Sequence, residues 1–178
     1  MSFWTKINTR SLAQRDWLPG SPIPMFGPDF GAVAAGLTQD HAPVPIRLGD
    51  LIVMTQSCDL EQKRAILVAC CRITTLDEFE LTNPKAAKHG WWEAVRQGRV
   101  EGLHFLASPT APQSNRAALA VDFRQIFSLP VEYLELHAST LGDRWRLALP
   151  YLEHFSQAFA RFFMRVGLPS AIPPYKSA

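Results

Sequence analysis

The chain has 178 residues, of which 47% are hydrophobic, and it carries a formal net charge of +2 at pH 7. A chain of this length buries about 70% of its unfolded surface in one core, which predicts a single domain over residues 1–178. The small net charge excludes the strongly basic composition of dedicated nucleic-acid binders, so a polyanion partner would have to bind a local patch.

No targeting or membrane segment is predicted from the hydropathy of the chain. Residues 1–10 lack the unbroken apolar stretch of a secretory signal. The longest apolar run, residues 147–166, is interrupted by charged and polar residues, which predicts an amphipathic helix instead of a membrane span. We therefore expect a cytoplasmic protein with no membrane partner.

Residues 1–46 are expected to form an extended N-terminal arm. Within it, residues 19–28 (PGSPIPMFGP) contain four prolines and two glycines. Because proline lacks a backbone donor and has a fixed φ, this segment is predicted to be an irregular surface loop. Residues 108–116 (SPTAPQSNR) have a similar composition and the same prediction.

The strongest strand signals lie in the middle of the chain. Residues 51–57 and 65–73 are apolar runs rich in β-branched residues, and the polar residues 59–64 between them predict an antiparallel hairpin. Cys70 and Cys71 are adjacent in the second strand, so their side chains should point to opposite faces, which suits neither a disulfide nor a chelating pair. Further strands are expected at residues 103–107, 118–123 and 125–129.

A helix is predicted over residues 83–98, with Asn83 as its cap, Pro84 in its first turn and Gly98 after its end. Adjacent helical positions are about 100° apart, so Trp91 and Trp92 cannot both face the core. One of them should be partly exposed and would then be a candidate partner contact.

A C-terminal amphipathic helix is predicted over residues 150–167. Its aromatic stripe comprises Leu152, Phe155, Phe159, Phe162, Phe163 and Val166, and Gly167 ends it. Two interpretations are open for this stripe. It packs on the sheet, or it forms the seam of a homodimer, because large aromatic side chains are also common in interfaces.

The segment GDLIVMTQSCDLEQKRAILV, residues 49–68, resembles the start of the MazF/PemK-like toxins. VDFRQIFSLPVEYL, residues 121–134, looks like a late strand of the same family. In this resemblance, a Gly-Asp pair at Gly49 and Asp50 opens a strand, and Arg64 precedes the next one. The resemblance implies an α+β fold with an SH3-like small β-barrel over residues 47–148, a helix inserted at 84–98 and the C-terminal helix. The run from Thr55 to Asp59 is also similar to a Ser/Thr-Gln-x-Cys-Asp motif of small uncharacterised bacterial proteins.

The candidate catalytic residues are Arg64, Cys58, Asp59 and His104. A nucleophilic Cys58 would need a base, and His104 is the candidate of the right chemical kind. In the alternative interpretation, Cys58 is a small buried residue and Asp59 caps loop amides. A metal site built from Cys58, Asp59, His104 and His89 would lack any diagnostic ligand spacing, so neither a metal nor another cofactor is predicted.

Four cationic residues, Lys63, Arg64, Arg72 and Arg116, are the candidates for a polyanion site, because arginine binds phosphate in a bidentate fashion. The alternative is that they form an ordinary solvated face. The leading hypothesis is a bacterial interaction or nucleic-acid-associated module from a toxin-antitoxin or phage-defence system. Its partners would be RNA or DNA, a co-encoded protein or a second copy of the chain.

Two further hypotheses come from other classes of protein. One is a MazF-like ribonuclease, in which Arg64 would stabilise the charge of the phosphorane-like state and Asp59 or His104 would transfer protons. The other is a cysteine-dependent or metal-dependent enzyme centred on Cys58.

Overall fold

The computed structural model describes residues 3–37 and 43–164, which form an α+β fold. The strands are β1 (Trp4–Ile7), β2 (Trp17–Pro24), β3 (Ile46–Val53), β4 (Leu67–Thr75), β5 (Leu103–Leu106), β6 (Leu119–Pro130) and β7 (Arg144–Leu147). The helices are α1 (Pro28–Ala34), α2 (Ser57–Glu61), α3 (Leu76–Thr82), α4 (Trp91–Arg96), α5 (Val131–Leu141) and α6 (Tyr151–Phe163), with a 3-10 turn at Pro84–Ala87. The α+β class predicted from the sequence is confirmed.

Five strands form one antiparallel sheet in the order β2-β3-β4-β6-β5, and β1 pairs separately with β7. In the described part of the chain β2 and β5 do not pair with each other, so the sheet is open and the predicted barrel closure is wrong. A physical reason lies in β2, where Pro19, Pro22 and Pro24 have no N–H with which to extend the sheet.

The predicted loop at residues 19–28 is also wrong for residues 19–24, because these residues belong to the edge strand β2. Its prolines are tolerated there because an edge strand needs a hydrogen-bonding partner on one side only. A bulge separates Leu18 from Ser21, and Gly20 occupies the left-handed region with φ +59°. The Asp50 carboxylate holds this bulge, accepting hydrogen bonds from Gly20 N at 2.9 Å and Trp17 Nε1 at 3.1 Å.

The first residues of the expected N-terminal arm are tied into the fold. Trp4 of β1 pairs with Leu147 of β7. The fully buried Asp16 forms ion pairs with Arg144, at 3.0 Å, and with Arg146. Because a buried carboxylate needs charged partners, this network anchors the segment between β1 and β2 to β7.

The predicted central strands are present with shifted bounds. β3 begins five residues earlier than predicted and ends at Val53, and residues 57–61 form α2 where a hairpin loop was expected. The two strands predicted at 118–123 and 125–129 are one strand, β6. Cys71 pairs with Ile126 and Arg72 pairs with Asp122, so residues 123–125 form a bulge in β6.

The sheet separates two cores, as the alternation of Cys70 and Cys71 predicts. Cys71 lies in the core under α6, and Cys70 lies in the core under α5. Both thiols are fully buried. Burial, with a smaller contribution from Asp122, raises the pKa of Cys71 to about 12, and burial also raises that of Cys70. Neither thiol is therefore a nucleophile at neutral pH.

Helix α6 packs on the sheet, which confirms that interpretation of its aromatic stripe. Phe155 is fully buried, and the rings of Phe155 and Phe159 meet Phe123 edge-on at 5.4 Å and 5.3 Å. Phe163 is 53% exposed, and residues 166 and 167 at the predicted end lie outside the described residues. Among the described helices, α6 included, none has the length and apolarity needed to cross a bilayer.

The single helix predicted over residues 83–98 is wrong. A 3-10 turn occupies its first part, and α4 begins only at Trp91, after Gly90 with φ +80°. This left-handed glycine interrupts a continuous helix. Trp91 and Trp92 both pack against Phe79 and its neighbours and both are half-buried, so the predicted partial exposure is found at both positions.

Candidate functional site

Cys58 and Asp59 lie on α2, at the connection between β3 and β4. Cys58 is exposed, which contradicts the interpretation that it is a buried structural residue, and its Sγ lies 3.5 Å from Gln56 Oε1. Asp59 is half-buried, and its backbone carbonyl accepts hydrogen bonds from Arg64 N at 2.9 Å and Ala65 N at 3.3 Å. The exposed Arg64 thus closes the turn after α2 through its backbone.

His104 does not lie near Cys58. It belongs to β5 and is level with Ile73, because both residues pair with Val121. Cys58 instead lies on the connection that leads into the start of β4, near Val68. The strand from Val68 to Ile73 is roughly 16 Å long at about 3.3 Å per residue, and this length separates Cys58 from His104 along the sheet. The structure therefore does not bring this predicted nucleophile and base together.

The surroundings of His104 are apolar. Its ring lies 5.1 Å from Phe155 and 6.0 Å from Phe123. Burial, with a smaller contribution from His154, lowers the pKa of His104 to about 4. The imidazole is consequently neutral at pH 7.

Lys63 and Arg64 are both exposed in the turn after α2. Lys63 lines a cavity of about 540 Å³ together with Glu61, Glu132 and Glu135. Three carboxylates beside one ammonium group repel an anionic ligand. The electrostatics therefore disfavour this turn as a polyanion site.

Arg116 is compensated by acidic side chains of α3. It donates to Glu80 Oε1 at 2.8 Å and also forms an ion pair with Asp77. Hydrogen bonds from Arg116, and then from Trp92, lower the pKa of Glu80. The charge of Arg116 is thus balanced within the protein.

Of the four predicted polyanion-binding residues, Arg72 is the one that lines a cavity together with a cationic side chain, Arg47, that forms no ion pair among the described residues. Arg72 is 9% exposed, and its Nη2 donates to Glu78 Oε1 at 2.7 Å. Its buried Nε has no hydrogen-bond partner among the described residues. Thr75 caps α3 by accepting from Glu78 N at 3.2 Å, which positions Glu78 beside Arg72.

Gly49 makes room for the Arg72 guanidinium. A Cβ atom at Gly49 would lie 2.8 Å from Arg72 Nη1 and 3.0 Å from Ile23 Cδ1. Such contacts are shorter than van der Waals distance, so a side chain here would displace the guanidinium. Strand β3 therefore contributes a glycine at the point where the arginine of β4 crosses it.

Arg72 lines one of two adjoining cavities. We call the two cavities together the basic groove. The first cavity has a volume of about 310 Å³ and the second about 290 Å³. Phe79, Thr82 and Asn83 belong to both linings. The first cavity is also lined by Arg47, Arg72, Thr74, Glu78 and Gln125. The second is also lined by Pro84, Lys85, Ala86, Trp91, Val100, Leu103 and Arg124.

Cations outnumber carboxylates in the basic groove. Its lining contains Arg47, Arg72, Lys85 and Arg124, against Glu78. Asp122 lies next to the groove and accepts hydrogen bonds from Arg124 Nε at 2.7 Å and Nη2 at 3.0 Å. Burial opposes ionisation of Asp122, but the hydrogen bonds from Arg124 and Gln125 outweigh it and lower its pKa.

The free positive charge comes from Arg47 and Lys85. Both side chains are exposed, and neither forms an ion pair within the described ranges of the chain. With Asp122 counted, cations still exceed carboxylates by four to two around the groove. The groove therefore carries a positive potential that favours anionic ligands.

The second cavity of the groove has an aromatic wall. Trp91 lines it, and the buried indole Nε1–H of Trp91 has no hydrogen-bond partner among the residues that the structure describes. Phe79, Val100 and Leu103 supply further apolar surface. An aromatic, largely apolar wall beside cationic side chains is typical of sites for nucleotides.

Sequence reasoning did not identify Arg47, Lys85 and Arg124. Arg47 and Arg124 are far apart in the sequence, and the β3–β4–β6 pairings and the bulge in β6 place them on the linings of adjoining cavities. The sequence predicts Trp91 only as one of two candidate surface contacts on a longer helix. The informative local signal was Gly49, whose small size is required by a buried arginine on the next strand.

Comparisons of the chain with protein-family models, with curated proteins and with solved structures gave no match. The described residues also contain no group of three or more His, Cys, Asp or Glu side chains that could hold a metal ion. The candidate function therefore rests on the chemistry of the basic groove.

Proposed function

We propose that the protein is a nucleic-acid-binding module that holds a phosphate-bearing chain in the basic groove. The observation that carries the proposal is the convergence of Arg47, Arg72, Lys85 and Arg124 on two adjoining cavities. Guanidinium groups bind phosphate oxygens through paired N–H donors. The unpartnered Nε of Arg72 is a buried donor that such an oxygen would satisfy.

The proposed site differs from the four residues expected from the sequence. Arg72 is retained, whereas Lys63 lies beside three carboxylates and Arg116 is paired with Asp77 and Glu80. Arg64 lies in the same turn as Lys63. The proposed interaction surface therefore lies at the end of β4 opposite to the loop after α2.

The proposal keeps the SH3-like, MazF/PemK-like character of the fold. It also keeps the toxin-antitoxin or phage-defence setting. The succession of a long strand and a helix, β6 and α5, supports the resemblance. A cytoplasmic location, a co-encoded protein partner and a homodimer are expectations carried with it. Among these partners, nucleic acid is the one that the positive charge and the aromatic wall of the groove favour.

The proposal is tested by fluorescence anisotropy with labelled RNA and DNA oligonucleotides at low salt, where binding to phosphates is strongest. The double substitution Arg47→Glu with Lys85→Glu should abolish binding. The matched control, Lys63→Glu with Arg64→Glu, changes the net charge by the same amount and should retain most of the affinity. Far-UV circular dichroism verifies that both variants are folded.

Two outcomes would contradict the proposal. One is the absence of binding to any oligonucleotide at about 50 mM salt, and the other is an equal loss of affinity in both double variants. For about three phosphate contacts on a single strand, the logarithm of the association constant should fall with the logarithm of salt concentration with a slope of about −2. Cleavage of the RNA during the assay would instead support the ribonuclease alternative.

A further inference from the structure

The two halves of the basic groove differ in chemistry. The cavity that contains Arg72 is mainly polar and has Arg47, Thr74 and Gln125 in its lining. The cavity that contains Trp91 is mainly apolar and has cationic groups at Lys85 and Arg124. A ligand that fills both halves must therefore combine an anionic part with a flat apolar part that carries hydrogen-bond acceptors.

Each half also contains one buried donor without a partner among the described residues. These donors are Nε of Arg72, a residue that lines the first cavity, and Nε1 of Trp91, a residue that lines the second. An unsatisfied buried donor is unfavourable, and a ligand acceptor placed opposite it removes the penalty. Phosphate oxygens suit the arginine, and the carbonyl oxygens or ring nitrogens of a nucleobase suit the indole N–H.

The residues that line both cavities place the two halves of the groove next to each other. Phe79, Thr82 and Asn83 line both cavities, so the two ligand parts would be neighbours, as the phosphate and base of one nucleotide are. A base can leave the stack of its neighbours and enter a protein cavity far more easily in a single strand than in a duplex. The second cavity, about 290 Å³, is close to the lower limit for small-molecule sites, about 300 Å³.

We infer that the groove binds single-stranded nucleic acid through one unpaired nucleotide, whose phosphate contacts Arg47 and Arg72 and whose base enters the cavity lined by Trp91. The inference rests on the proposed function and adds the strandedness of the ligand and the role of the base. Lys85, whose charge is not paired within the described ranges, neutralises the neighbouring phosphate charge.

The decisive experiment compares three probes on the intact protein: a labelled single-stranded oligonucleotide, the blunt duplex of the same sequence and an oligonucleotide of equal length made of abasic sites. The single strand should bind more tightly than either of the others. The substitution Trp91→Leu should weaken single-strand binding about 5- to 150-fold, as loss of one aromatic–base contact does. Binding of the abasic oligonucleotide should be unchanged by it.

A milder pair of variants separates the base contact from folding. Trp91→Phe keeps an aromatic ring but removes the unpartnered N–H, and single-strand affinity should fall about fivefold. The control Trp92→Phe removes an N–H that already donates to Glu80 Oε1 at 2.7 Å, and affinity should be retained. Urea unfolding of both variants verifies that the folded state is populated under the binding conditions.

The result that overturns the inference is distinct from the failure of the proposed function. If the duplex or the abasic oligonucleotide binds as tightly as the single strand, and Trp91→Phe binds like the parent, the base does not enter the groove. Binding that is still abolished by Arg47→Glu with Lys85→Glu would then leave the proposed function intact. If no probe binds at low salt, both the function and the inference are wrong.

Discussion

The partly buried imidazole of His104 should make the stability of the protein depend on pH between 6.5 and 4. Burial lowers its pKa from 6.5 to about 4 in the folded state. The unfolded chain therefore binds a proton on this residue below about pH 6.5, whereas the folded chain binds it only below about pH 4. The free energy of unfolding must fall as the pH is lowered through this window, and this contribution is constant below it.

The size of the effect follows from the two pKa values. Each unit of difference corresponds to 1.36 kcal/mol, so the full window contributes at most about 3 kcal/mol. For a chain of this length, 1 kcal/mol corresponds to about 2–4 °C in Tm, so the contribution is about 6–12 °C. Substitution of His104 by Phe removes the titrating group and keeps a ring in contact with Phe123 and Phe155.

The assay is urea unfolding of the parent, His104→Phe and His89→Gln at several pH values from 7.5 to 4.5. His89 is exposed, so the variant at this position is a control that removes an imidazole without changing the core. The parent and the control should lose about 2–3 kcal/mol more than His104→Phe over this range. Parallel curves for the parent and His104→Phe would refute the reasoning.

Three further predictions concern buried charge, close packing and thiol exposure. Asp16→Asn should lower the free energy of unfolding by about 3–5 kcal/mol in urea titrations, because the buried guanidinium paired with this carboxylate loses its counter-charge. Gly49→Ala should displace the guanidinium of Arg72 and weaken oligonucleotide binding in anisotropy titrations, whereas Gly31→Ala, with open space around it, should not. Cys58 should be the thiol that reacts with Ellman's reagent in the native protein, and its modification should leave oligonucleotide binding unchanged.

The elements that could be predicted from the sequence are those with a strong local pattern. β4 and α6 were predicted because β-branched runs and a helical aromatic stripe are visible within a few residues. The opposite orientation of Cys70 and Cys71 followed from strand alternation alone. Edge strand β2 was missed because its prolines indicate a loop unless the position at the edge of a sheet is known.

The basic groove could not be predicted because its residues meet through tertiary pairing. Arg47 and Arg72 lie on adjacent strands, and Gln125 approaches them through the bulge in β6. The roles of Gly49 and Asp50 could not be predicted from the sequence for the same reason. From the sequence it resembled a turn that opens a strand, but within β3 the glycine accommodates Arg72 and the aspartate holds the bulge of β2.

The distribution of unsatisfied donors separates the groove from the other buried polar groups. Among the described residues, buried donors without a partner occur on Arg15, Arg72, Trp91 and Arg144. Neither Arg15 nor Arg144 lines any of the cavities described above. Arg72 and Trp91 instead line adjoining cavities that a ligand can enter. Since each orphaned donor is unfavourable by about 1–3 kcal/mol, a ligand acceptor that reached Arg72 Nε or Trp91 Nε1 from the groove would recover stabilisation, and Arg144 lines no cavity described above from which a ligand could do the same.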